Sequence, residues 1–312
     1  MPNVQEWILA AGQAVALLLL APLASGFCRV LRAKMHSRKG PPLTQDYRDI
    51  FKLLKRQEIV PKGAGPIFRA MPFILMATLL VIAMSLPVLT LASPLGAIGN
   101  LFTFICLLAL VRFFFSLSGI DSGSTFAGIG ASREATMGAL MEPVILLALF
   151  VAALLAGSTD LGRISASFAA PSNGLIAAEI AVTGAVAFAA FVEMGKVPYD
   201  MAEAEQELQE GPLTEYSGPG LALLKWSTRL KQLVMAAFLI GVFLPYGAAV
   251  SVSVASLLVA AAAFLAKLVI VFVVVALIEN SVARHRFLMT SRATWTGFGV
   301  STLALVFYLL GL

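Results

Sequence analysis

The chain has 312 residues, of which 59% are hydrophobic and only 12% charged, with a formal net charge of +5. A soluble domain carries about 25% charged residues, so this composition excludes an ordinary soluble fold and indicates a polytopic membrane protein. The apolar runs have helix length and lack the roughly ten-residue alternation of an outer-membrane barrel, so the expected class is an all-α membrane helix bundle.

Eight spans are predicted in chain order, at roughly 7–28, 72–91, 98–118, 138–157, 174–193, 231–248, 253–279 and 294–311. Each has about 18 residues or more, enough to cross ~30 Å of hydrocarbon. They form one integral membrane domain over 1–312. The first span has no basic residue before it and no small-residue cleavage site, so it reads as a retained helix.

After the first span, LTQDYRDIFKLLKRQE at 43–58 places Leu43, Tyr47, Ile50, Phe51 and Leu54 on one helical stripe. The opposite face carries Asp46, Arg48, Asp49, Lys52, Lys55 and Arg56. This pattern predicts an amphipathic helix at the membrane surface, anchored on anionic lipid, roofing a cavity or docking a peripheral subunit.

Basic residues fall on one side. The connection between the first two spans holds Arg29, Arg32, Lys34, Arg38, Lys39 and six more. Arg133, Lys196, Lys225, Arg229, Lys231, Arg284, Arg286 and Arg292 lie in other connections on the same side, whereas the opposite connections hold only Arg163. That asymmetry makes the basic side cytoplasmic and places both termini outside. The outer connections are short, as at SPLGAIG, 93–99. The GIG at 128–130 lacks a third glycine and a preceding strand, so it reads as a flexible cytoplasmic loop rather than a phosphate cradle.

The most informative stretch lies between the fifth and sixth spans. Asp200, Glu203, Glu205, Glu207, Glu210 and Glu215 fall there, six of the chain's seventeen carboxylates. Helical spacing after Pro198 puts Asp200, Glu203, Glu207 and Glu210 within about 80° of each other, with Glu205 on the other side. Crowded carboxylates raise one another's pKa, as a proton relay needs. Charges also enter the spans: Glu142, Glu179, Glu193, Arg112, Lys267 and Glu279. Lys267, near the middle of the seventh span, is expected to face the bundle interior and pair with an acid or a carbonyl, or be neutral. A string of acids and bases across several helices is the signature of an ion path; static ion pairs that fix packing would look similar.

Cys28, Cys106, His36 and His285 are too few and too scattered for a four-thiolate cluster or a zinc site. The chain is therefore expected to bind no metal or redox cofactor, and nothing in it points to nucleic acid.

At the acidic stretch a family resemblance emerges. Glu193, Pro198, Asp200, Glu203, Ala204, Glu205, Glu207, Leu208, Gly211 and the run Thr214 to Gly218 resemble the signature of subunit 1 of respiratory complex I. Met194, Gly195 and Lys196 stand where that subunit usually has Thr-Asn-Arg. RAKMHSRKGP at 32–41, FFFSLSGIDSGSTFAGIGASRE at 113–134, EMGKVPYD at 193–200 and ENSVARHRF at 279–287 are similar to the membrane-bound group 4 nickel–iron hydrogenase branch. The resemblance implies a non-catalytic membrane subunit that couples protons and docks hydrogenase large and small subunits and an iron–sulfur protein. The nickel–iron site and iron–sulfur clusters would lie in those partners, with antiporter-like subunits and lipid alongside. Glu142, Glu193 and the loop acids match positions on the proton route, whereas Arg112, Lys267 and Glu279 rest on residue reading alone. Arg48, Lys52, Lys55, Arg56, Arg133, Glu210 and Glu215 are the expected docking residues. The alternative is a quinone-binding membrane subunit of a complex I-type oxidoreductase.

Overall fold

The computed structural model describes residues 4–96, 98–170, 174–250, 253–284, 286–287 and 290–312. In chain order the helices are α1 (Val4–Met35), α2 (Gln45–Leu54), α3 (Pro66–Ser85), α4 (Leu101–Asp121), α5 (Thr125–Ala156), α6 (Leu161–Ala169), α7 (Ile176–Glu193), α8 (Glu205–Leu208), α9 (Gly218–Phe238), α10 (Val254–Ser281) and α11 (Thr290–Leu310). Among the described residues, seven are long and apolar enough to cross a membrane: α1, α3, α4, α5, α7, α10 and α11. The protein is an all-α polytopic bundle.

The predicted sixth span, 231–248, is displaced. Its helix begins at Gly218, carries Lys225, Arg229 and Lys231, and continues as a π-helical turn over Leu239–Phe243. Although more polar than the others, α9 traverses the bundle as α3 does. At its start, Ser217 bonds both the N–H and the carbonyl of Ile59, just before α3. Past its end, the Ala249 N–H donates to the Leu89 carbonyl, just beyond α3. The π turn has a packing cause: a Cβ on Gly241 would lie 2.3 Å from the Pro87 carbonyl, and Ser165 donates to the Gly241 carbonyl at 2.8 Å. Lys225 and Arg229 hid the first part of this helix from a hydropathy reading, and a buried environment rather than lipid accommodates its three basic residues.

The first described residues of α1 and the C-terminus lie at one end of the bundle. Gln13 near the start of α1 donates to the Ala83 and Leu86 carbonyls at the end of α3, and the Ala178 N–H at the start of α7 donates to the Leu312 carbonyl. The connections with the basic residues gather at the opposite end.

Two further expectations are corrected. The segment 128–130 is not a loop, because α5 starts at Thr125 and runs 32 residues, about 48 Å at 1.5 Å per residue. The outer connections, expected to be short, include one before the fifth span that holds a helix: α6 fills part of it, capped by Asp160 accepting from the Arg163 N–H at 2.9 Å.

The core is sealed by large side chains. Phe104 stacks on Phe238 with ring centroids 4.1 Å apart, among fully buried Phe68, Met71, Leu79, Met141 and Leu149. Burying such side chains stabilises packing by roughly 1.5–3 kcal/mol each in water; between helices already in lipid the gain is chiefly close packing. On the outer faces of α10 and α11, Leu258, Val269, Val274, Val300 and Leu303 are exposed, as lipid-facing helices require.

Candidate functional site

At the basic end, an ion-pair chain crosses four helices. Arg112 of α4 donates to Glu142 of α5 at 2.9 Å and to Glu193, the last residue of α7, at 3.0 Å. Glu193 also lies 3.4 Å from Lys231 of α9, which reaches Glu134 of α5 at 3.5 Å. Arg112 and Glu193 are each only 7% exposed. A charge so placed is tolerable only if paired. Gly138 makes room for it: a Cβ there would stand 3.2 Å from the Arg112 side chain, and its carbonyl accepts from Arg112 at 3.3 Å.

The acidic stretch does not form the expected single-faced helix. Only Glu205–Leu208 is α-helical, with a short 3-10 turn at Gly211–Leu213, because turns dominate around them. Gln209 and Glu210 have φ of 50° and 74°, and Gly211 at φ 54° lies so close that a Cβ would meet the Ala202 carbonyl at 2.0 Å. The carboxylates consequently diverge. Asp200 is held by Arg284, with Nε donating at 2.9 Å. Glu207 accepts from Arg133 at 2.6 Å, and Glu210 from Lys225 at 3.3 Å. These acids are thus separated by individual basic partners instead of crowding one another. Burial pushes the Glu203 carboxyl above its ordinary value, opposed by Arg229 and Lys196. The side chain of Glu205 lies outside the described residues, as does His285.

The surface helix is α2, shorter than the predicted 43–58. Its apolar stripe is split: Ile50 is buried, whereas Leu43, Phe51 and Leu54 are exposed. Asp46, expected on the polar outer face, is instead 6% exposed. It is clamped by Arg29 of α1 at 2.6 Å and Arg229 of α9 at 3.6 Å. A buried carboxylate between two cations holds α2 against the bundle by charge as well as by apolar contact.

Three cavities connect these groups. Beneath α2 lies one of about 270 Å³, lined among others by Arg29, Asp46, Glu203, Lys225, Thr228 and Arg229. A second, about 50 Å³, shares Glu203 and Thr228 with it and adds Glu134, Glu193, Tyr199, Asp200 and Lys231. A third, about 30 Å³, shares Glu134, Glu193, Tyr199 and Lys231 and reaches Arg112. Glu203 therefore stands between the cavity under α2 and the polar interior.

The remaining predicted residues lie apart from this line. Glu279 of α10 sits 3.7 Å from Arg32 and 3.8 Å from Lys196. Among the described residues Lys267 meets no acid: its ammonium donates to the Leu244 and Tyr246 carbonyls at 2.6 and 2.9 Å, beyond the π turn. Arg48, Lys52, Lys55 and Arg56 are exposed on and after α2, and Glu215 is half-buried before α9. Arg133 lies 5.6 Å from the centroid of the Phe287 ring while pairing with Glu207. Among the described residues, no group of three or more His, Cys, Asp or Glu is placed to hold a metal ion.

The sequence pattern of the NADH dehydrogenase family matches residues 8–310. The chain belongs to this family. It is 53% identical to hydrogenase-4 component C of Escherichia coli K12 over 305 residues, covering 98% of this chain and 96% of that protein. It is 50% identical to formate hydrogenlyase subunit 4 of the same organism, over 94% and 96% of the two chains. The fold matches a chain of an archaeal respiratory membrane complex, the membrane-bound sulfane sulfur reductase, with a TM-score of 0.82 over 97% of this chain and 99% of that one, at 19% identity. At that identity the match speaks for the fold alone.

Several residues of this family member's network escaped the sequence reading. Glu134 falls between two predicted spans and so carries no sign of burial in the sequence; with α5 extended, Glu134, Gly138 and Glu142 recur every four residues on one face. Asp46, Arg29 and Arg229 carried no signal, because their burial depends on how α2 lands on α1 and α9.

Proposed function

We propose that this chain is the membrane-anchoring and proton-coupling subunit of a membrane-bound nickel–iron hydrogenase complex, docking a peripheral redox arm on its basic, cytoplasmic face in the bacterial inner membrane. The observation that carries the coupling half is the ion-pair chain from Glu142 through Arg112, Glu193 and Lys231 to Glu134, reached from the cavity under α2 past Glu203. The hydrogenase half rests on the near full-length similarity to two proteins named as hydrogenase and formate hydrogenlyase components.

In this reading the nickel–iron site and iron–sulfur clusters belong to the large, small and iron–sulfur partner subunits, and antiporter-like membrane subunits extend the complex in the bilayer. Exposed Arg48, Lys52, Lys55 and Arg56 offer charge to the docked arm. Redox chemistry there alters the field at Glu203 and the loop acids, and protonation shifts pass inward through ion pairs that can exchange partners.

The coupling role is tested with the triple variant Asp200→Asn, Glu203→Gln and Glu207→Gln. Co-purification of the large subunit and hydrogen turnover with and without uncoupler are measured together. A coupling role predicts an assembled complex with altered turnover or uncoupler response. A docking role alone predicts loss of the peripheral subunits. Full assembly with wild-type turnover and response in the triple variant refutes both. Orientation is tested by cysteine labelling at Ser124 and Thr214 in intact cells; ready reaction with an impermeant reagent from outside reverses the assignment.

A further inference from the structure

Between α1 and α10 runs an apolar groove of about 260 Å³. α1 lines it with Leu20, Leu23, Ala24 and Phe27, and α10 with Leu265, Leu268, Val269 and Phe272. Both sets follow the i, i+3, i+4, i+7 spacing of one helix face. Two apolar stripes therefore face each other over about 10 Å of helix axis. Leu268 and Phe272 form a buried floor, whereas Leu23, Leu265 and Val269 are exposed, so the groove opens sideways toward the bilayer. At the end nearer the basic connections it is closed. There Cys28 donates to the Phe272 carbonyl at 3.7 Å, and Leu43 joins the lining. Leu43 can seat on α1 only because residue 26 is glycine: a Cβ there would meet the Leu43 carbonyl at 2.1 Å.

The segment that leads to Leu43 carries charge of one sign. From Arg29 to Gln45 the chain has no Asp or Glu. It lies back along α1, with the Arg38 N–H donating to the Ala33 carbonyl at 2.8 Å and Gly40 against Ala33 and Val30. His36 meets Asn280, near the end of α10, at 3.1 Å. The segment thus bridges both walls of the groove just beyond its closed end. Lys34, Arg38 and Lys39 are exposed on it. The acids beside it are already engaged: Asp46 faces Arg29 and Arg229, and Glu279 faces Arg32 and Lys196.

Water is a poor occupant of this groove, because an ordered water needs about two to four polar partners and these side chains offer none. A void would leave the lining atoms without contacts on one side. A hydrocarbon chain supplies them. Any lipid has such a chain, but basic residues clustered at the end of a groove between membrane helices favour an anionic headgroup.

We propose that the groove between α1 and α10 binds an anionic phospholipid of the leaflet on the basic side. One acyl chain lies between the two apolar stripes, and the phosphate sits among Lys34, Arg38 and Lys39. The site shares no residue with the ion-pair chain and does not depend on the coupling role, so either can fail without the other.

The test uses the detergent-purified protein with its co-purifying subunits, reconstituted in phosphatidylcholine nanodiscs. Two probes are compared, phosphatidylglycerol and phosphatidylcholine, each with a diazirine in one acyl chain. After illumination, labelled peptides are mapped by mass spectrometry. The phosphatidylglycerol probe should label 20–27 and 265–272 above the exposed face of α11, and above the phosphatidylcholine probe. Replacing two cations, in the double variant Arg38→Gln and Lys39→Gln, should lower that labelling about tenfold. Val269→Trp, which fills the groove, should abolish it, whereas Val300→Trp on the exposed face of α11 should leave it unchanged. Equal labelling by the two probes, or full labelling of the charge variant, overturns the proposal. So does the absence of label from both stripes, the result expected if a helix of a partner subunit fills the groove. If Val269→Trp does not assemble, the charge variant decides, because it alters only exposed side chains.

Discussion

Replacing Arg112 with glutamine should expose how the ion-pair chain is weighted. The substitution keeps a polar side chain but removes the charge that joins Glu142, Glu193 and the Gly138 carbonyl. Removing one partner of a buried pair costs about 3–5 kcal/mol, because the other charge is left uncompensated. Two features lower that figure. Glu193 keeps Lys231 at 3.4 Å, and the Glu142 side chain is 42% exposed and can be hydrated. We therefore expect a loss of about 3 kcal/mol, with most of the coupling on the Glu193 side. Double-mutant cycles with Glu193→Gln and Glu142→Gln resolve it: the Arg112–Glu193 coupling should reach about 2 kcal/mol, and the Arg112–Glu142 coupling should stay below about 1 kcal/mol, as for a partly exposed pair. The assay is SDS-titrated unfolding of the detergent-purified protein in mixed micelles, followed by tryptophan fluorescence. Equal couplings, or an Arg112–Glu193 coupling below about 0.5 kcal/mol, would refute the assignment of Glu193 as the deeply buried partner.

Two glycines of α5 should behave oppositely. A Cβ at Gly130 would meet Pro212, the Ala202 carbonyl and Gly211 at 2.7–2.9 Å, whereas Gly128 has nothing within 4 Å. Gly130→Ala should cost about 1–3 kcal/mol and make the acidic loop more sensitive to limited proteolysis, while Gly128→Ala should be neutral or slightly stabilising; equal proteolysis rates would contradict the docking of the loop on α5. Lys267→Met removes both donors to the Leu244 and Tyr246 carbonyls, so unfolding should ease by about 1.5–3 kcal/mol, with Lys267→Arg recovering part of it. A Lys267→Met protein as stable as the parent would show that these carbonyls find other partners.

The class of this protein is written in its composition. Long apolar runs must satisfy their backbone internally in lipid, so seven of the crossing helices follow from hydropathy alone. The one-sided placement of bases likewise marks one end of the bundle, and the structure gathers those connections there. The eighth traverse was harder to read. Lys225 and Arg229 make the first half of α9 look like a loop to any measure that treats lipid as the only environment, yet this helix packs inside the bundle beside acids from its neighbours. The same reasoning applies to the site. Which residues are charged, and that Arg112, Glu142 and Glu193 enter the spans, was legible, because an ionisable group in an apolar run must be paired, hydrated or able to reach the interface, whether it serves an ion path or only fixes packing. Which charges meet was not. Asp46 lies on the polar face of an amphipathic pattern and is nonetheless buried, and the loop acids share a face only if the segment is a helix, which the turns over 197–204 and the left-handed backbone at Gln209, Glu210 and Gly211 prevent. Local spacing sets what a side chain can do; its partners come from elements distant in sequence, as Arg112 and Glu193 do across 81 residues, and only the packing of α4, α5, α7 and α9 against one another brings them together.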